Sequence, residues 1–171
     1  MFNNKWKKRF INLAYSIAKW SKDPSTKVGC VIVNKDKRII STGYNGFPEE
    51  ILDNSKNLLN RQFKLENVIH AEHNAILNTD FFNEENCIMF ITKAPCRHCA
   101  NKIIETRKVS EVCYPEIDLK SSWVESQIKG QKALKEAGIL ITTYKPSFLQ
   151  KLQMYIDVKF TKIGYNFYVL S

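Results

Sequence analysis

Apolar residues at Phe10, Leu13, Ala14, Ile17 and Ala18 recur at the three-to-four spacing of one helix face. They predict an amphipathic helix over roughly Lys5 to Trp20, closed by Asp23-Pro24. The β-branched run Val28 to Asn34 reads as a buried strand and Arg38 to Tyr44 as its partner, with Asn34-Lys35-Asp36-Lys37 as the turn. From Gly46 to Asn67 the chain is polar and poorly periodic, which predicts a long loop with a helical turn near Leu58 to Phe63. A short helical pattern follows over His70 to Leu77, then a strand over Cys87 to Thr92. Cys96, Cys99, Ala100, Ile103, Ile104 and Arg107 mark one face of the next helix. Val109 to Tyr114 reads as a strand, Val124 to Ala137 as a helix stopped by Gly138, and Ile139 to Tyr144 as a last strand. The order α-β-β-α-β-α-β-α-β predicts an α/β domain with helices covering a central sheet. Residues 146–171 form an aromatic, apolar tail that is expected to add a helix on the same domain.

Length adds one constraint: 171 residues suit a single domain with a real core. The expected division is residues 1–145 as that domain and 146–171 as a C-terminal extension. No apolar run approaches the roughly 20 residues that a bilayer span needs, so no membrane partner is expected. The opening residues carry charge with no apolar segment behind them, so no secretory signal is expected. Five cysteines without such a signal point to reduced thiols in the cytoplasm.

Charge narrows the partners. The net charge of +9 favours anions, and residues 1–22 carry Lys5, Lys7, Lys8, Arg9, Lys19 and Lys22 with no acid. Aromatics are not interleaved with that charge as base-stacking platforms. A solvated basic face and a small anionic substrate therefore rank ahead of nucleic-acid binding.

The chemistry lies in two short segments, His70-Ala71-Glu72 and Pro95-Cys96-Arg97-His98-Cys99. Catalytic zinc takes three protein ligands and leaves a fourth position open, and His70, Cys96 and Cys99 supply three. Cys96 and Cys99, one turn apart at a helix start, can turn both sulfurs to one metal, where the helix dipole favours thiolates. Glu72, two residues beyond His70, is placed beside the metal to move protons without binding it. A structural zinc knuckle would need a fourth ligand, such as His73 or His98, and would have no use for Glu72. His-x-Glu followed by Pro-Cys-x-x-Cys is the known signature of zinc nucleobase deaminases, matched here rather than derived. Cys30, Cys87 and Cys113 fall in expected strands and read as core residues.

With these residues in view the chain resembles the deoxycytidylate (dCMP) deaminase family of the cytidine deaminase superfamily. The resemblance extends through Asp23-Pro24-Ser25-Thr26-Lys27-Val28-Gly29-Cys30-Val31-Ile32-Val33, Gly43-Tyr44-Asn45-Gly46-Phe47-Pro48 and Ile69-His70-Ala71-Glu72-His73-Asn74-Ala75-Ile76. Cys99-Ala100 and Glu136-Ala137-Gly138-Ile139 also fit, so it covers roughly residues 6 to 144. It implies a three-layer α/β/α fold around a mixed five-stranded sheet, and zinc-dependent conversion of dCMP to dUMP and ammonia. It implies substrate contacts from Asn45, through a sugar hydroxyl, and from Ala71. Members are commonly multimers, often hexamers, so a homo-oligomer is implied. The 5′-phosphate needs a basic partner. Lys27, Arg61, Lys64 and Arg97 are candidates, and Arg61 is favoured because its loop leads into the helix at His70. Where many members bind regulatory triphosphates, Pro48 is here followed by Glu49 and Glu50, so that control is not carried over. The loop before His70 offers no ligand for a second zinc. The alternatives are a deaminase of another cytosine nucleoside, nucleotide or nucleic acid, and a non-catalytic zinc-bearing accessory module.

Overall fold

The computed structural model describes residues 2–79, 81 and 84–169. Residues 1, 80, 82 and 83 and the last two positions of the expected C-terminal extension lie outside the described residues. Five strands form one mixed sheet in the order β2-β1-β3-β4-β5. They are β1 (Gly29–Val33), β2 (Ile39–Tyr44), β3 (Cys87–Ile91), β4 (Val109–Pro115) and β5 (Leu140–Tyr144). β1 runs antiparallel to β2 and β3, whereas β3, β4 and β5 are mutually parallel.

Alternation along each strand sorts its side chains between two cores, because successive residues point to opposite faces. Val31, Val33, Ile88, Phe90 and Cys113 meet Phe10, Ile11, Ala14 and Ile17 of α1 (Asn4–Ala18). On the other face Cys30, Ile32, Met89, Ile91, Val112 and Tyr114 pack under α4 (Ala71–Leu77), α5 (Arg97–Thr106) and α6 (Val124–Glu136). These are the three layers that the motif resemblance implied. All three cysteines expected in strands are buried in these cores.

Two boundaries differ from the expectation. α1 ends at Ala18, ahead of Asp23-Pro24, because the Lys19 N–H already bonds back to Ile17 and Ser16. The region expected to be mostly loop holds two short helices, α2 (Ser55–Leu59) and α3 (Arg61–Asn67). Asn54 and Asn60 cap them, their side chains accepting from the Asn57 and Phe63 N–H groups. Capping chemistry, invisible to a periodicity argument, nucleates both. α6 ends as expected: the Ile139 N–H reaches back to the Leu134 carbonyl and Gly138 N–H to Lys135.

The last helix, α7 (Phe148–Val169), follows β5 and rests against α2, with Met154 packed into the α1-side core. No described helix is long and apolar enough to cross a membrane.

Candidate metal and active site

The site forms at the sheet edge where β3 ends, β1 begins and β2 ends. Ile91 pairs with Cys30, and beyond that pair the Gly29 N–H donates to Thr92 Oγ1 at 3.0 Å while the Thr92 N–H returns to the Gly29 carbonyl. From this edge the chain passes through Lys93-Ala94-Pro95 to Cys96, which is the N-cap of α5. His70 is the N-cap of α4. Two helix starts thus converge on one point.

Two glycines permit that convergence. A Cβ on Gly43 of β2 would lie 2.3 Å from the Ala75 nitrogen, so α4 presses on the sheet at backbone distance. A Cβ on Gly130 of α6 would lie 2.7 Å from the Pro95 carbonyl, so α6 presses equally on the turn before Cys96. Asn74 Nδ2 donates to the Tyr44 carbonyl at 2.8 Å, pinning α4 to the end of β2. Gln127 of α6 donates to the Ala94 carbonyl at 3.0 Å. Its Oε1 is buried with no hydrogen-bond partner among the described residues.

His70 Nδ1 lies 3.6 Å from Cys96 Sγ and 3.3 Å from Cys99 Sγ. Among the described residues these are the three donor atoms that gather closely enough to hold an ion, all within 4.8 Å of one another. One imidazole nitrogen and two sulfurs is a donor set that fits catalytic zinc, which takes three protein ligands and a fourth from water or substrate. The Cys96 thiol is lowered to about 3, chiefly by the hydrogen bond from Cys99, while Cys99 is pushed up by that same bond and by burial. His70 is raised mainly through its hydrogen bond to Cys96.

Glu72 sits in the first turn of α4, is 4% exposed, and its carboxyl bonds the Cys99 thiol. Burial raises it above the ordinary carboxylate range, and the His70 charge opposes that rise. A buried carboxyl poised towards protonation beside three metal donors can both take and give a proton. His98 is exposed and lies against His73, with ring centroids 6.3 Å apart, away from the three-donor cluster.

The other expected contacts fall in different settings. Asn45 is 5% exposed, and its Nδ2 donates to the Thr26 carbonyl at 2.9 Å and to Asp23 at 3.4 Å. Its Oδ1 accepts from the Val28 N–H at 2.7 Å, which leaves one acceptor lone pair. Its backbone is not in the left-handed region; among non-glycine residues described, Lys37, Asn86 and Arg107 are. Ala71 is fully buried at the first position of α4. Lys27 and Lys64 are buried and engaged, Lys27 with the Ser21 carbonyl and Lys64 with Asp23 at 2.9 Å. Arg61 and Arg97 stand exposed at the first positions of α3 and α5.

Sequence reasoning missed three residues. Trp123, just ahead of α6, meets His70 edge to face at 5.8 Å between centroids. Gln127 braces the turn before Cys96. Lys93 is half-buried; burial lowers its ammonium, while Glu72, Asp118 and Asp23 oppose that fall. No spacing rule links Trp123 or Gln127 to His70, but Lys93 lay open to notice, three residues before Cys96.

Residues 4–116 match the family model of the cytidine and deoxycytidylate deaminase zinc-binding region. An uncharacterised deaminase of Aliivibrio fischeri is 42% identical over 141 residues, spanning 81% of this chain and 93% of its own. Deoxycytidylate deaminase of Mus musculus is 31% identical over 150 residues, spanning 84% and 82%. In fold, the chain is similar to the dCMP deaminase of cyanophage S-TIM5, at a TM-score of 0.66, 23% identity, and 84% and 100% coverage. The same phage enzyme in complex with dCMP and dUMP gives a TM-score of 0.62.

Proposed function

This chain belongs to the family defined by the cytidine and deoxycytidylate deaminase zinc-binding region, and on that footing we propose that it is a dCMP deaminase. It is a zinc-dependent hydrolase that converts dCMP to dUMP and ammonia. The observation that carries the reading is a buried carboxyl, Glu72, against one imidazole and two sulfurs gathered within 4.8 Å. A purely structural metal site has no use for that acid.

His70, Cys96 and Cys99 hold the metal and Glu72 moves the protons. When bound, zinc lowers the pKa of a water molecule and so supplies a nucleophile at neutral pH. Glu72 takes a proton from the attacking water and delivers it to N3 of cytosine as oxygen adds to C4. It next takes the remaining proton from the new C4 hydroxyl and delivers it to the amine at C4; the C4–N bond breaks as the C4–O bond becomes the uracil carbonyl, and ammonia leaves. The raised proton affinity that burial gives Glu72 supports this role.

Asn45 offers its one remaining lone pair to a sugar hydroxyl, and the Ala71 N–H, first in its helix and free of an intrahelical partner, contacts substrate. Arg61, exposed and without an ion pair among the described residues, holds the 5′-phosphate. Residues 1–145 carry the activity and 146–171 extend the same domain. The protein acts in the cytoplasm as a homo-oligomer.

An ultraviolet deamination assay with dCMP, deoxycytidine, CMP and a short single-stranded DNA, on protein of measured zinc content, tests the reading. Turnover greatest on dCMP with one zinc per chain supports it. Stoichiometric zinc without turnover of any of the four supports the accessory-module alternative. Charge reversal at Arg61 raises KM for dCMP far more than for deoxycytidine; equal effects remove it from the phosphate site.

A further inference from the structure

The faces of α7 are reversed for a helix that covers a core. Towards the domain it turns Gln150, Met154, Asp157, Val158 and Thr161. Gln150 bonds Asn12 at 2.9 Å, Met154 enters the core, and the Asp157 charge bears on buried Lys27. Away from it, Phe148, Leu149, Leu152, Tyr155, Phe160 and Ile163 stand between 40% and 76% exposed. At about 100° per residue these six fall in one arc of roughly 140°, a stripe about 24 Å long interrupted by Lys159. Apolar stripes of this size on a folded surface mark contact sites.

We propose that this outward stripe of α7 is where a second copy of the chain docks, stripe against stripe across a two-fold axis. The area argues for a copy of the chain itself. Scaled by their exposures, the six side chains offer on the order of 700 Å², close to the roughly 800 Å² that each partner gives to a standard interface. A two-fold contact needs only one self-complementary patch, and this helix supplies it. Lys151 and Lys162 border the stripe and Lys159 lies within it, and no ion pair engages these lysines among the described residues. Lys159 Nζ lies 5.1 Å over the Tyr155 ring, and Asp157, the one acid of the helix, faces inward. In a dimer these lysines approach one another, so screening by salt strengthens the association. This deepens the oligomer reading above and is independent of the deaminase chemistry.

Sedimentation velocity on the full zinc-loaded chain, from low to high micromolar concentration and at low and high salt, tests it. The wild type self-associates, more tightly at high salt. Leu149→Glu/Phe160→Glu and the uncharged Leu149→Gln/Phe160→Gln each weaken association by at least about a hundred-fold, because two apolar anchors per subunit are lost. Both side chains are exposed in the single chain, so the circular dichroism spectrum stays unchanged. Association of both variants equal to wild type overturns the α7 assignment and leaves the oligomer reading standing. A wild type monomeric at every concentration overturns both. A monomeric wild type that sediments with phosphatidylserine vesicles, and less so at high salt, assigns the stripe to an anionic lipid surface and also overturns the proposal.

Discussion

Glu72 carries opposite consequences for activity and stability. Replacing it with Gln removes the proton carrier while keeping the side chain's shape. Turnover of dCMP then falls on the order of 10²–10⁴ with zinc content unchanged, as steady-state kinetics and metal analysis will show. In the metal-free protein the same substitution stabilises at neutral pH. The folded-state pKa of Glu72 is raised above its unfolded value by burial. Ionising it in place therefore carries a cost that is absent below the unfolded pKa and grows as pH rises through the folded one. Thermal melts in chelator should show Glu72→Gln ahead of wild type at pH 8 and level with it near pH 4. An advantage independent of pH would mean that the carboxyl is not held in this environment.

Among the elements, the packing of α4 on β2 and of α1 on the sheet decides whether the site assembles. Gly43→Ala drives a methyl into the α4 backbone, where neither element can yield without moving His70. A loss of about 1–3 kcal/mol in urea unfolding is expected, together with weaker zinc retention in a competition assay. On the other face, Lys7 of α1 pairs with Glu111 of β4, and Thr142 of β5 accepts from Lys7 and donates to Glu111 at 2.6 Å. Both charges are nearly buried, with side chains 12% and 5% exposed. Lys7→Met leaves Glu111 unpaired and should cost about 3–5 kcal/mol, whereas Lys7→Met/Glu111→Leu should recover most of it. A double-mutant cycle by chemical denaturation reads the difference. The helices α2 and α3 show why elements were legible only in part. Where apolar residues repeat, as in α1 and the strands, the pattern identifies the element. Where two asparagine caps make the helix, the pattern is silent.

For the molecule as a whole, charge and shape act together. A net charge of +9 draws a dianionic nucleotide towards the site more strongly than a neutral nucleoside. Raising ionic strength should therefore lower kcat/KM for dCMP several-fold while leaving that for deoxycytidine nearly flat. Equal salt dependence for both would detach the charge from substrate capture.

Hydrophobic periodicity determined the strands and most of the helices, and the spacing of His70, Glu72, Cys96 and Cys99 determined which side chains share chemistry. Both are short-range properties: a period of two or of three to four, and ligands placed at two helix starts. Tertiary structure alone decided that Trp123, just ahead of α6, and Gln127 within it reach the site, that Lys27 and Lys64 are buried and engaged, and that Lys7 meets Glu111. It also decided that α7 turns its apolar side outward. Those outcomes depend on how distant elements settle against one another, and no repeat within a single segment encodes that.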